Sequence, residues 1–192
     1  MTAEELLNKW FERSQQISPV RLARIDRKNL IGKFREFGFK KGAEIGVDRG
    51  RFSEFMCKTI DDLELLCVDP WERHFRGESR YKSAITRLSP YKCKIIKKTS
   101  MEAVRDIPNK SLDFVYIDGD HHFDFIMQDI IEWAKRIRIG GIVSGHDYYR
   151  FRQAGVVEAV DIYTKMHGIT KWFLTDERTP TWFWLKEAEI WI

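Results

Sequence analysis

The spacing of hydrophobic positions changes twice along this chain. Residues 3–16 and 21–37 carry apolar side chains at helical intervals. In the second segment Leu22, Ile25, Leu30, Phe34 and Phe37 approximate one stripe, which predicts an amphipathic helix with Gly38 as its stop. Further on the pattern shortens to apolar runs at 43–47, 65–68, 94–96, 114–117 and 141–143. These are too short for helices and too continuous for strands with one wet face, so buried parallel strands fit them best. Segments with helical period fall between them, at 52–60, 101–107 and 123–137. Thr99 and Glu102 stand at capping-box spacing before the second. Phe123, Ile126, Met127, Ile130, Ala134 and Ile137 line one face of the third. Strand alternating with helix predicts a doubly wound α/β sheet. The tail departs from this: a helix at 154–167 precedes strand-like runs at 170–175 and 181–186. The turn-rich 176–180 between them predicts an antiparallel hairpin closing one edge.

No linker or repeat divides the 192 residues. The expectation is therefore one domain over 1–192, with two N-terminal helices within 1–38 and a core at 41–186. The helices are extra to the core, free to form a homodimer contact or a substrate cover. Hydrophobic residues at 43% and charged ones at 32% are those of a folded protein. The net charge of +4 is too small to imply a nucleic-acid partner. Lys92, Lys94, Lys97 and Lys98 form the densest basic group, read as a solvated face. Cys57, Cys67 and Cys93 have no metal-ligand or redox spacing and sit among apolar neighbours, which implies buried thiols in a reducing compartment. The start, MTAEELLNKW, has acids where a secretion signal needs a basic and then an apolar stretch. No run approaches the ~18 apolar residues of a membrane span. The expected location is the cytoplasm, with no membrane partner.

Ligands of open α/β sheets bind beyond the carboxyl ends of the strands, so the residues after each run carry the functional signal. After the first comes A-E-I-G-V-D-R-G, with Gly46 and Gly50 permitting a tight turn and close ligand approach. Glu44 is an acid inside an otherwise apolar strand. A dinucleotide site would show G-x-G-x-x-G. E-x-G-x-x-x-G lacks the first glycine, and its acid favours a cationic ligand part over a pyrophosphate. The second run ends in V-D-P-W, where Asp69 is placed to bind both hydroxyls of a ribose, or to start a turn before Pro70.

These motifs resemble the first two of class I S-adenosylmethionine-dependent methyltransferases. D-F-V-Y-I-D-G-D-H-H, followed by G-G-I-V-S-G-H-D-Y, is similar to a smaller group that includes metal-dependent sugar and catechol O-methyltransferases. The resemblance spans about residues 41–186. It implies a Rossmann-like sheet of seven strands, mostly parallel, with the antiparallel strand in the C-terminal hairpin. It also implies S-adenosylmethionine as cofactor, with Glu44, Gly46 and Gly50 around its methionine part, Asp69 on the ribose and Ser100 near the adenine. A helix cap reads Ser100 equally well.

Transfer of a methyl group to an alcohol needs a base for the hydroxyl proton or a cation to stabilise the oxyanion. In this fold both belong at the ends of the fourth and fifth strands, where Asp118, Asp120, His146 and Asp147 cluster. The resemblance places a magnesium ion or another divalent cation on Asp118, His146 and Asp147, and Asp118 also borders the cofactor. A histidine is a poor magnesium ligand, so two arrangements stay open. In one, Asp118 and Asp147 hold a metal and Asp120 is the base. In the other no metal binds, and His146 or Asp120 takes the proton directly. His122 and Asp124 are read as solvent-facing, and Asp129 as either a supporting or an exposed residue. Trp71, Phe75 and Tyr81 could roof the cofactor from a loop reaching about Arg87, with Arg73, Arg76 and Arg80 facing an acidic acceptor or solvent. Trp172, Trp182 and Trp184 are read as core.

The expected activity is thus O-methylation of a small molecule or sugar. The competing readings are an S-adenosylmethionine-binding protein with altered chemistry and another enzyme, such as an oxidoreductase, on the same scaffold.

Overall fold

The strand from Leu112 to Ile117 shows why this sequence builds layers. Side chains alternate across a strand: Val115 and Ile117 enter one hydrophobic cluster while Phe114 enters another on the opposite face. Neither face is wet, as the continuous apolar run predicts. The same sorting repeats near the C-terminus, where Trp182 and Trp184 join the first cluster and Phe183 and Leu185 the second. Each such buried side chain stabilises the fold by roughly 1.5–3 kcal/mol.

The computed structural model describes residues 1–14, 17–72, 77–152 and 154–188. In chain order these form α1 (Ala3–Ser14), β1 (Val20–Leu22), α2 (Arg27–Glu36), β2 (Lys41–Ile45), α3 (Arg51–Thr59), β3 (Glu64–Val68) and α4 (Gly77–Leu88). There follow β4 (Cys93–Ile96), α5 (Ser100–Ala103) running into one 3-10 turn, β5 (Leu112–Ile117), α6 (Phe123–Arg136), β6 (Ile137–Gly145), α7 (Val156–Met166), β7 (Trp172–Thr175) and β8 (Trp182–Leu185). Among the described residues the sheet has eight strands in the order β1-β7-β8-β6-β5-β2-β3-β4. It is parallel except around β8, which runs antiparallel to both β6 and β7. Helices α1 to α4 pack on one face, and α5 to α7 on the other.

The doubly wound sheet and the hairpin agree with the sequence pattern, and Thr99 and Glu102 do form a capping box before α5. Two expectations fail. The helix at 21–37 is a strand and a shorter helix: β1 pairs with β7 through Val20↔Phe173 and Leu22↔Thr175. That adds an eighth strand, so the hairpin does not end the sheet, and residues 1–38 are not helices alone. The helix waits for Asp26, whose side chain caps Asn29 N–H while Asn29 returns the bond. Leu22 is inward at either period, and three residues are too few to tell period 2 from 3.6. The loop expected up to Arg87 is mostly α4, with Gly77 to Leu88 helical.

Candidate active site

A cavity of about 760 Å³ opens at the carboxyl ends of β2, β3 and β5. Glu44, Gly46, Asp69, Ser100, Asp118 and Asp120 all line it, bringing together six residues singled out from the sequence. Gly50 stands behind it. At φ 71° Gly50 begins α3 in the left-handed region, and Leu88 lies 3.2 Å from where a Cβ would project. Gly46 meets a harder limit. At φ 91° its Cβ position falls 2.0 Å from the Asp118 carbonyl oxygen, so any side chain would force β2 and β5 apart.

Glu44 is 2% exposed and accepts a hydrogen bond from the Ser53 hydroxyl on α3. Burial pushes its carboxyl well above the usual range, and the nearby Asp118 adds to the effect. A cationic group set against it would favour the charged form. Asp69 is held by the glycine loop: Oδ2 accepts from Val47 N at 3.0 Å and Asp48 N at 2.9 Å, and Oδ1 from Trp71 N at 2.8 Å. Asp69 is thus both turn-former and cavity wall. A carboxylate has about four acceptor positions, so room for a ligand hydroxyl remains.

Ser100 is the first residue of α5 and not its cap. Its hydroxyl accepts from Trp133 Nε1 at 2.7 Å and donates to Asp129. Asp129 is buried, not exposed. Loss of hydration raises its carboxyl to about 7 against the Ser100 bond, and Asp120 adds repulsion. Trp71 packs on Tyr81 with ring centroids 4.9 Å apart and lines the cavity, while Arg80 pairs with Asp48 at 2.7 Å. Arg73, Phe75 and Arg76 lie outside the described residues. In the basic group, Lys92, Lys97 and Lys98 each meet a surface carboxylate. Trp172, Trp182 and Trp184 are core.

Next to the cavity, the ends of β5 and β6 bring Asp118, His121, His146 and Asp147 together. His121 Nε2 lies 2.9 Å from Asp147 Oδ2 and 3.7 Å from Asp118 Oδ1. The atom is sealed from solvent, yet neither contact has hydrogen-bond geometry, so the attraction is ionic. Asp118 and then Asp147 push this imidazole up to about 10, against burial. Burial opposes charge on Asp147, but the two imidazoles outweigh it and hold that carboxyl far below the usual range. Asp118, His121 and Asp147 each offer one donor atom, all within 4.8 Å of one another.

His146 has a different setting. Its Nδ1 is 3.0 Å from Asp147 Oδ1, and its Nε2 faces Thr179 Oγ1 at 3.3 Å and Arg27 Nη1 at 3.5 Å. A guanidinium only donates, so Nε2 accepts from Arg27, while Nδ1 is the nitrogen that faces Asp147. Asp120 Oδ1 accepts from His122 N at 3.0 Å and pairs with the His122 ring at 2.6 Å. This is a local turn, not the cap of α6, whose N-cap is His122 without a side-chain bond. Asp147 and Trp71 have positive φ, at 57° and 54°. Asp tolerates this region and Trp does not, and such strain gathers at working sites.

The cavity and the cluster lie at the strand ends that the sequence singled out, but His121, three residues past Asp118, was not assigned. Either of two adjacent histidines could have turned inward. The structure turns His121 in and leaves His122 exposed.

Comparison with known proteins now gives the family. The profile of a family described as a methyltransferase domain matches residues 43–148. The uncharacterized protein y4gI of Sinorhizobium fredii (strain NBRC 101917 / NGR234) is 30% identical over 115 residues, covering 54% of this chain and 12% of that protein. The chain therefore spans a small part of that curated relative. Among solved structures, an O-methyltransferase from Bacillus cereus in complex with SAH superposes with a TM-score of 0.65 at 12% identity, covering 95% of this chain and 90% of that one. The O-methyltransferase TomG from Streptomyces achromogenes, involved in tomaymycin synthesis and in complex with SAM, gives 0.64 at 18%, covering 84% and 79%. At these identities the structural likeness carries the fold. The profile match covers more than half of the chain, which belongs to the methyltransferase-domain family.

Proposed function

We propose that this protein transfers a methyl group from S-adenosylmethionine to a hydroxyl oxygen of a small molecule or sugar, with a divalent cation assisting. The observation that carries this reading is the convergence of Asp118, His121 and Asp147 beside a cavity that Asp118 also lines. The sealed His121 Nε2, aimed between two carboxylates without a hydrogen bond, fits a metal ligand. One imidazole with two carboxylates suits manganese, iron, cobalt or zinc better than magnesium. To Asp118 and Asp147, the pair read from the sequence, this proposal adds His121, in place of the His146 that the resemblance implied.

S-adenosylmethionine supplies an electrophilic methyl group, and a bound divalent cation acidifies a coordinated hydroxyl. The chain does the rest. Glu44 meets the cofactor's ammonium, Gly46 lets backbone approach the methionine part, and Gly50 shapes the loop. Asp69 takes a ribose hydroxyl on its remaining acceptor position, and Ser100 sits near the adenine. Asp120, oriented by His122, receives the acceptor proton. His146 stands 3.0 Å from Asp147 and positions its carboxylate, which leaves its other nitrogen turned to Arg27 and Thr179 and makes it the second choice of base. Holding two reactants in line supplies much of the rate.

The test is calorimetric titration with S-adenosylmethionine and S-adenosylhomocysteine, with manganese present or chelated. Micromolar binding of both nucleosides is expected, with a manganese heat that disappears in Asp118→Ala. Binding that ignores the metal would overturn the cation and move the chemistry to Asp120 or His146 alone. No binding of either nucleoside would overturn the cofactor.

A further inference from the structure

Three cysteines far apart in sequence converge on the face of the sheet beneath α3. In the strand register Cys67 lies beside Glu44, and Cys93 beside Leu65. Alternation puts Glu44, Cys67 and Cys93 on the same face. Helix α3 crosses that face. Its Ser53 reaches Glu44, and one turn later Cys57 meets Cys93 with the two sulfurs 3.4 Å apart. Cys67 is buried, but Cys57 and Cys93 are both partly exposed, which corrects the expectation of three buried thiols.

We propose that Cys57 and Cys93 form a dithiol–disulfide pair, a modification site that clamps α3 to β4 when the protein meets a small-molecule disulfide. The sulfurs need only close from 3.4 Å to the ~2.05 Å of the bond. Cys93 is the attacking thiolate: the Cys57 thiol 3.4 Å away can donate to it, which holds it below the usual thiol range against burial. It attacks one sulfur of R–S–S–R, forming Cys93–S–S–R and releasing R–S⁻. Cys57 then loses its proton and attacks the Cys93 sulfur, expelling the second R–S⁻. The two cysteines give up two electrons and two protons, and R–S–S–R leaves as two R–SH. Cys93 opens β4, at the opposite end of the strand from the cavity, so the clamp leaves the cleft open. It closes the chain between 57 and 93 and restrains the unfolded state, which raises the melting temperature by roughly 5–15 °C.

The test is incubation of the full-length native protein with oxidised glutathione, followed by peptide mapping without reduction. A Cys57–Cys93 linked peptide is expected. It should persist in Cys67→Ser and vanish in Cys57→Ser and Cys93→Ser, and the oxidised protein should melt higher until reduced. Glutathione adducts alone, a link through Cys67, or a link that forms only in denaturant would each overturn the proposal. Mapping of the unsubstituted protein and of Cys67→Ser decides the matter even where another variant does not fold.

Discussion

The two sides of the cleft are built by different means. On the side of β2 and β3 the backbone does the work: Gly46 presses against the Asp118 carbonyl, and three loop N–H groups clasp Asp69. On the side of β5 and β6, side chains from separate parts of the chain converge. Asp118 and His121 come from one loop and Asp147 and His146 from another, with Arg27 from α2 and Thr179 from the hairpin turn. The first side is fixed by close backbone packing that leaves no space for a side chain at Gly46. The second gathers charge on side chains at loop ends. Damage to the first should therefore appear as lost stability and cofactor affinity, and damage to the second as lost turnover.

The largest expected effect tests the second side. Asp118→Ala should lower kcat on the order of 10³-fold, about 4 kcal/mol of transition-state stabilisation, while the melting temperature shifts by only a few degrees. A large drop in melting temperature would erase the contrast, because Asp118 would then be structural. Next in size is Gly46→Ala on the first side. With a Cβ 2.0 Å from a carbonyl oxygen and φ at 91°, about 3 kcal/mol of stability should go. For a chain of this length that is roughly 6–12 °C in thermal unfolding. An unshifted melting curve would mean that β2 and β5 can separate at little cost.

The contrast also explains what the sequence could tell. That Glu44, Gly46, Asp69, Asp118 and Asp120 gather at one end of the sheet was legible because strand ends can be placed from hydrophobic runs, and ligands of this fold bind at strand ends; Ser100 came from the family resemblance. His121 was not, since its inward turn depends on the path of the loop between β5 and α6. Arg27 and Thr179 were out of reach for another reason. They touch His146 only through tertiary packing across more than a hundred residues for Arg27, and no local period encodes that. The strand β1 was missed because a three-residue run fits both periods. The eighth strand exists because β7 offers it an edge, a fact about the sheet and not about residues 20–22.

Glu44 sharpens the comparison from within the first side. Burial raises its carboxyl well above the usual range, and a bound ammonium should pull it back down. Titration of S-adenosylhomocysteine at pH 7 in buffers of different ionisation enthalpy should show net proton release. Glu44→Gln should abolish the release and weaken binding roughly 30-fold, about 2 kcal/mol. Equal heats in all buffers would mean that Glu44 does not face the charged end of the ligand.

The smallest effect concerns Asp129, which lies on the cavity wall where the two sides meet. Its carboxyl is raised to about 7 by burial, so the folded state keeps a proton that the unfolded chain has released by pH 5 or so. The sign follows from linkage: the raised group favours folding at low pH, and that advantage fades as pH rises from about 4 to about 7. Between pH 6 and pH 8 the native protein should lose about 1 kcal/mol relative to Asp129→Asn, whose amide can still accept from Ser100. Paired thermal melts at the two pH values read this directly. If the two proteins lose stability in parallel, Asp129 is ionised throughout and must be compensated by its neighbours. A difference that grows toward pH 8 would show that burial keeps a proton on this carboxyl at the lower pH and that losing it costs stability.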